Sequence, residues 1–245
     1  SEANFTDLLD DETAEQISIT DQDLTVNDGE ISVTNANLLN GTTTGTVTAT
    51  IDAGTRVDDL KTLNGSNAYT ITIDNADATG STATEFNTIN SATTVAIDAS
   101  AVTGLASDDI DDITTLLTAA ADANQFANGS FENLATVVVA DTSLTATELT
   151  DAIDDANTVT GTTDTVFTIT AVDTITGSEA NFTALLADEE AEQISITDQN
   201  LTVTGTISVS NANDLNETTE GTVTATIDAD TTVDSLKTLE GTNAY

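Results

Sequence analysis

The chain has no cysteine, methionine, histidine, proline or tryptophan, and lysine and arginine together number three: Arg56, Lys61 and Lys237. Each absence closes off some chemistry. Without cysteine there is no disulfide, no thiolate metal site and no thiol nucleophile. Without histidine or cysteine the usual catalytic triads and dyads cannot be assembled. Against 43 acidic residues the formal net charge is −40. That balance excludes nucleic acid as a partner, because phosphate binding needs lysine and arginine, and it argues against anionic membrane surfaces. No apolar run approaches the eighteen or so residues that span a bilayer, so no membrane insertion is expected. Aromatic residues make up 3 % of the chain, so its core is expected to be thin and built from Ala, Val, Ile and Leu.

What is present is repetition. "SEANFT" stands at residues 1–6 and again at 178–183, "EQISITDQ" at 15–22 and 192–199, and "GTVTATIDA" at 45–53 and 221–229. Residues 1–26 match 178–203 at 22 of 26 positions, and residues 31–69 match 207–245 at 30 of 39 after one deletion. Two domains follow: residues 1–177 as one long repeat unit, and 178–245 as the start of the next copy. The frame of the repeat is that of a window on a longer tandem array.

A shorter period lies inside the long one. Runs with β-branched residues at period two recur: "ISITD" (17–21, 194–198), "TATID" (48–52, 224–228), "TITID" (70–74), "TVAID" (94–98), "TVVVAD" (136–141) and "TVFTITAVD" (165–173). This alternation predicts strands. Between them lie segments with helical spacing: Phe86 and Ile89; Leu116 and Leu117; Leu149 and Ile153, with Thr145 or Thr147 as N-cap; and Phe182, Leu185 and Leu186, with Ser178 as N-cap. The landmarks Ile19, Ile51, Ile73, Ile97, Val139, Ile169 and Ile196 divide the repeat into six coils. Strands joined through helical crossovers are parallel, and such crossovers are right-handed in nearly all known cases. The predicted fold is therefore an α/β repeat: a right-handed solenoid of strand, turn and short helix with a continuous parallel sheet. The alternative is a string of tandem β-sandwich modules, which would show about seven strands per module and turns every 8–12 residues.

The strand-end aspartates Asp21, Asp52, Asp74, Asp98, Asp141, Asp173, Asp198 and Asp228 are the candidate metal-binding residues. In a solenoid they would stand in a row about 5 Å apart, where like charges repel unless paired, and three basic residues cannot pair them. Divalent cations, Ca²⁺ in particular, take six to eight such oxygens. The other reading is that each Asp caps its own turn and faces solvent. The acidic runs "SDDIDD" (107–112) and "DEEAE" (188–192) carry the same two readings. No EF-hand loop or calcium nonapeptide is present. Nor is there a phosphate-binding loop or a nucleophile elbow; the expectation is of a chain that is not an enzyme. Sequons at Asn4, Asn40, Asn64, Asn128, Asn181, Asn200 and Asn216 permit glycosylation in a secreted protein.

With its Thr/Asp richness, its scarcity of lysine, its lack of cysteine and units such as "VTATIDAGTRVDDLKTL" and "TITIDNADATGSTATEFNTINSA", the chain resembles the repeat regions of giant bacterial cell-surface proteins, the large secreted adhesins and surface-layer-like proteins. The resemblance implies an extracellular, cell-surface location, calcium dependence and structural or adhesive work. The expected function is thus an acidic structural fibre, surface filament or coat segment that associates with further copies of itself. The alternative is the spacer stalk of a calcium-dependent adhesin.

Overall fold

A computed structural model describes residues 2–14, 17–74, 80–241 and 243–245. Its contacts divide the chain into two compact units: Ser1–Leu105 with Thr115–Leu134, and Ala106–Thr114 with Ala135–Tyr245. The second copy of the sequence repeat begins inside the second unit.

The first unit contains helices α1 (Glu2–Thr13), α2 (Val33–Thr42), the single turn α3 (Val57–Leu60) and α4 (Ala83–Ala92), and strands β1 (Leu24–Thr25), β2 (Val47–Thr50) and β3 (Ala68–Thr70). Strand β4 (Gly104–Asp108) and helix α5 (Ile110–Ala120) each contribute residues to both units. The second unit holds β5 (Thr136–Val139), β6 (Ser143–Thr145), α6 (Ala146–Thr160), β7 (Val166–Thr168), β8 (Thr174–Gly177), α7 (Glu179–Glu190), β9 (Asn200–Ile207), α8 (Val209–Thr218), β10 (Val223–Ile227) and the single turn α9 (Val233–Leu236). Strands and helices alternate except where β5 runs on to β6 and β7 to β8, and the fold is mixed α/β.

The pairs β1–β2, β2–β3, β5–β7, β6–β8, β8–β9 and β9–β10 are all parallel. So are the isolated bridges that extend them, such as Thr72 to Asp98 and Ile97 to Phe126. Parallel pairs with helices between them set aside the β-sandwich alternative, whose sheets are antiparallel. The pairing falls into three sheets, ordered β1-β2-β3, β10-β9-β8-β6 and β4-β5-β7. A coil of the second unit therefore carries two short strands before its helix: β5 and β6 precede α6, and β7 and β8 precede α7.

Helix starts are written in hydroxyl side chains. Ser32, Thr82, Thr145, Ser178, Ser208 and Thr232 each sit in extended backbone and accept a hydrogen bond from the amide three residues on. This satisfies a donor that the first helical turn leaves open. At Thr82 and Thr145 the third residue is Glu85 or Glu148, whose carboxylate reaches back to the cap amide, completing a capping box. Of the two cap candidates for α6, Thr145 is the one used, and Ser178 caps α7 as expected.

The apolar faces meet in register. Thr50 pairs with Thr70 and Thr72 with Asp98, so Ile31, Ile51, Ile71, Ile97 and Phe126 stand level in successive returns, all buried. The level partner of Ile51 is thus Ile71, two residues before the landmark Ile73. Phe86, Ile89, Leu116, Leu117, Leu149, Ile153, Phe182 and Leu185 are buried as their spacing predicts, whereas Leu186 is half-buried. Phe131 packs edge-on against both Phe86 and Phe126, at centroid distances of 5.4 and 5.2 Å.

The two "ISITD" runs are corrections. Residues 17–21 form no strand, and in the second copy only Ile194 bridges, to Phe167. Their carbonyls are taken by other groups: Thr43 Oγ1 donates to the carbonyls of Thr20 (3.1 Å) and Gln22 (2.6 Å), and the Thr44 amide donates to Thr20 (2.6 Å). Gly45 lies so close to the Gln22 carbonyl that no Cβ fits there. The strand of each repeat start lies downstream instead, at "LT" in β1 and "NLTVTGTI" in β9.

Candidate functional site

The polar feature the structure organises most fully is a set of Asn and Thr side chains that ties each return of the chain to the next, identically in both copies. Asn67 is buried. Its Oδ1 accepts from the Val47 amide at 2.9 Å and its Nδ2 donates to Asn40 Oδ1 at 2.8 Å. In the second copy Asn243 does the same, accepting from the Val223 amide at 2.9 Å and donating to Asn216 Oδ1 at 2.5 Å. Asn37 Nδ2 donates to the Thr62 carbonyl and its Oδ1 accepts from the Asn64 amide, both at 2.8 Å. Asn213 repeats both bonds, to Thr238 at 2.8 Å and from the Glu240 amide at 3.0 Å. Thr219 mirrors Thr43, donating to the carbonyls of Thr197 (3.0 Å) and Gln199 (2.6 Å). An amide side chain offers a donor and an acceptor in one plane, so a stacked Asn can close a backbone gap on one return and bond a side chain on another. The sequence signal was the recurrence of Asn at 37, 40 and 67 in the second copy, which strand and helix periodicity does not weigh.

The eight candidate aspartates are distributed along turns. Asp21 accepts from Thr44 Oγ1 at 3.1 Å ahead of β1, and Asp198 occupies the matching exposed turn ahead of β9. Asp98 Oδ1 accepts from the amide (3.0 Å) and hydroxyl (2.7 Å) of Ser100, the Asx turn that aspartate favours. Asp52 and Asp228 close turns through their carbonyls, to the amides of Thr55 (3.2 Å) and Thr231 (3.0 Å). Asp173 is tied by its amide to the Thr142 carbonyl at 2.8 Å. The register sets Asp98 opposite Thr72, with Asp74 two residues further along. Asp52 is level with Thr72, so threonine interrupts the row between Asp52 and Asp98. Among the described residues no group of three or more acidic side chains is placed to hold a metal ion.

An acidic cluster surrounds the start of α5. Asp141 Oδ2 accepts from the Ile110 amide at 2.8 Å. The Asp109 carboxyl is pushed above its ordinary value, first by the charge of Asp141, then by burial and by Asp108, Asp112 and Asp111. Elsewhere, Asp188 on α7 is raised to about 6, by burial and then by Asp154 on the neighbouring helix α6. Glu179 is lowered, because the Ser208 amide (3.0 Å) and Asn211 Nδ2 (2.7 Å) both donate to its carboxylate. That bond links α7 to the cap of α8. Lys61 is held protonated well above its usual range by Asp58 and Glu85, each 2.6 Å away.

A cleft of about 460 Å³ opens beside β7, lined by Val166, Phe167, Ile194, Ser195, Asp198 and Gln199 among others. Gln199 is buried and donates to the Val172 carbonyl at 3.2 Å. Its Oε1 has no partner among the described residues. Of the sequon asparagines, Asn181 and Asn200 donate their Nδ2 to Thr147 Oγ1 (2.8 Å) and the Asp173 carbonyl (3.3 Å), while Asn40 and Asn216 accept through Oδ1 from Asn67 and Asn243. No described helix is long and apolar enough to cross a membrane. No family model matches this chain, and neither a curated protein nor a solved structure matches it.

Proposed function

We propose that the chain is a segment of an extracellular structural protein, a rigid acidic fibre, surface filament or coat built by continuing the same coil. One observation carries the reading: the second copy rebuilds, at an offset of 176–177 residues, the helices, strands and Asn–Thr bonds of the first. The counterparts are α7 for α1, α8 for α2, β10 for β2 and α9 for α3. A fold that closes on itself has no use for the opening of its own sequence a second time, whereas a stack uses each copy as the platform for the next.

In this reading the parallel returns continue as a right-handed solenoid whose partner is more of the same repeat. The surface is acidic, and the net charge of −40 keeps neighbouring fibres apart and soluble. Cations enter as counter-ions to that surface. The chain is assigned no catalytic step. The repeat is tested by concatenation. Polypeptides with two and three copies of residues 1–177, viewed by electron microscopy, are expected as straight particles of constant width. Each copy should lengthen them by ~29 Å, from six coils at the ~4.8 Å spacing of neighbouring strands. Globules that grow in all directions would contradict the reading.

A further inference from the structure

The dipeptide Asn–Gly occurs three times, at 40–41, 64–65 and 128–129. Asparagine is thermolabile, and before glycine it is open to attack by its own backbone. The glycine nitrogen reaches the asparagine side-chain carbonyl unhindered, because glycine has no Cβ to shield it. The reaction needs a side chain free to turn and a glycine N–H that no acceptor holds.

The fold gives the three pairs different environments. Asn40 and Gly41 lie inside α2, where the glycine amide belongs to the helical ladder, and Asn40 Oδ1 accepts from Asn67 Nδ2 at 2.8 Å. Asn64 and Asn128 are exposed and stand outside any helix or strand. Gly65 and Gly129 follow them in the left-handed region, at φ of 80° and 88°. The bonds of Asn64 run through its backbone alone: its amide donates to Asn37 Oδ1 at 2.8 Å and its carbonyl accepts from Asn67 Nδ2 at 3.3 Å. Among the described residues the side chains of Asn64 and Asn128 and the amides of Gly65 and Gly129 have no hydrogen-bond partner. The second copy carries Glu217 in place of Gly41 and Glu240 in place of Asn64. The Glu240 amide still donates to Asn213 Oδ1, at 3.0 Å, so an acidic side chain at this position keeps the tie between returns.

We propose that Asn64 and Asn128 are sites of self-modification, converting through a cyclic imide to aspartate and isoaspartate, while the helix protects Asn40. At the first site the Gly65 nitrogen loses its proton and bonds to Asn64 Cγ. The bond from Cγ to Nδ2 breaks, and ammonia leaves. Water then opens the ring. Opening at the main-chain carbonyl side leaves isoaspartate, whose backbone is one methylene longer; opening at the other leaves aspartate. Aspartate keeps both backbone bonds of position 64. Isoaspartate turns the carbonyl that Asn67 bonds into a free carboxylate, and so loosens the side chain that accepts from the Val47 amide at 2.9 Å.

The test uses the whole chain, made in a host without N-glycosylation, because a sugar on Nδ2 would block the reaction. It is held at physiological temperature in mildly alkaline buffer, folded or in guanidinium chloride. Peptic digestion at low pH stops the reaction. Mass spectrometry follows the gain of nearly one dalton at each asparagine, and electron-transfer fragmentation separates aspartate from isoaspartate. In the folded chain Asn64 and Asn128 are expected to convert severalfold faster than Asn40, whereas in denaturant the three rates should converge. Asn64→Asp should melt with the parent. An Asn128→Asp chain aged to isoaspartate at position 64 should melt below its unaged form. Conversion of Asn40 as fast as Asn64 in the folded chain overturns the proposal, as does conversion of Asn64 and Asn128 in denaturant only. Unchanged melting of the aged chain would overturn the predicted loosening of Asn67.

Discussion

A single side chain, Asn67, shows how this chain manages a core with few aromatics. It is buried between returns and satisfies the amide of Val47, itself fully buried. Asn67→Ala leaves that N–H without an acceptor, which costs about 1–3 kcal/mol. The thermal midpoint is expected to fall accordingly, while Asn133→Ala, at an exposed position, stays within about 0.5 kcal/mol of the parent. Differential scanning calorimetry of the two variants checks this. Asp188 gives a pH prediction. Its folded-state value is raised to about 6 by burial and Asp154, against an ordinary value near ~3.9 in the unfolded chain. Between those values the folded state binds the extra proton, so this contribution to stability is complete below pH ~4 and is lost as pH rises through about 6. The midpoint of the parent is expected to rise relative to Asp188→Asn as pH falls from 7 to 4.5. Parallel pH profiles for the two proteins would remove Asp188 from the account.

At the scale of elements, hydroxyl caps decide where helices start. Thr145→Ala removes both the Oγ1 acceptor used by the Glu148 amide (3.1 Å) and one partner of the Glu148 carboxylate. The expected cost is about 1 kcal/mol, read as a lowered denaturant midpoint with an unchanged slope; no change would mean that water replaces the cap without loss. Much of this level was legible in the sequence. The apolar stripes of α4, α6 and α7 and the alternation in β2, β5 and β10 follow directly from residue spacing. Helices α2 and α8 were not legible, because half of "NANLLN" and of "NANDLN" is asparagine, a poor helix former, and both helices owe their start to Ser32 and Ser208. The "ISITD" runs misled because alternation reports which side chains face inward, not which groups bond the backbone. There Thr43 and Thr219 take the carbonyls that a neighbouring strand would otherwise use. The turn aspartates were found by position, but which atoms they bond depends on register. A shift of two residues, setting Ile71 rather than Ile73 level with Ile51, moves Asp74 out of line with Asp98.

At the scale of the molecule, 43 acidic residues against three basic ones make self-repulsion a global cost of the compact state. Salt shortens its reach, to ~8 Å at physiological ionic strength, so the thermal midpoint is expected to climb steadily with NaCl. A midpoint indifferent to salt would show that the charges already sit too far apart to matter. The central claim is that the second copy continues the first by stacking, and it is tested most directly by distances between equivalent positions. The chain has no cysteine, so spin labels are introduced at Thr6→Cys with Thr183→Cys, Thr34→Cys with Ser210→Cys, and Thr48→Cys with Thr224→Cys, all exposed. Double electron–electron resonance on the three doubly labelled chains measures the displacement of each pair. Six stacked coils at the ~4.8 Å strand spacing predict three narrow distributions that agree near ~29 Å. Distances that disagree with one another, or that spread broadly, would contradict stacking.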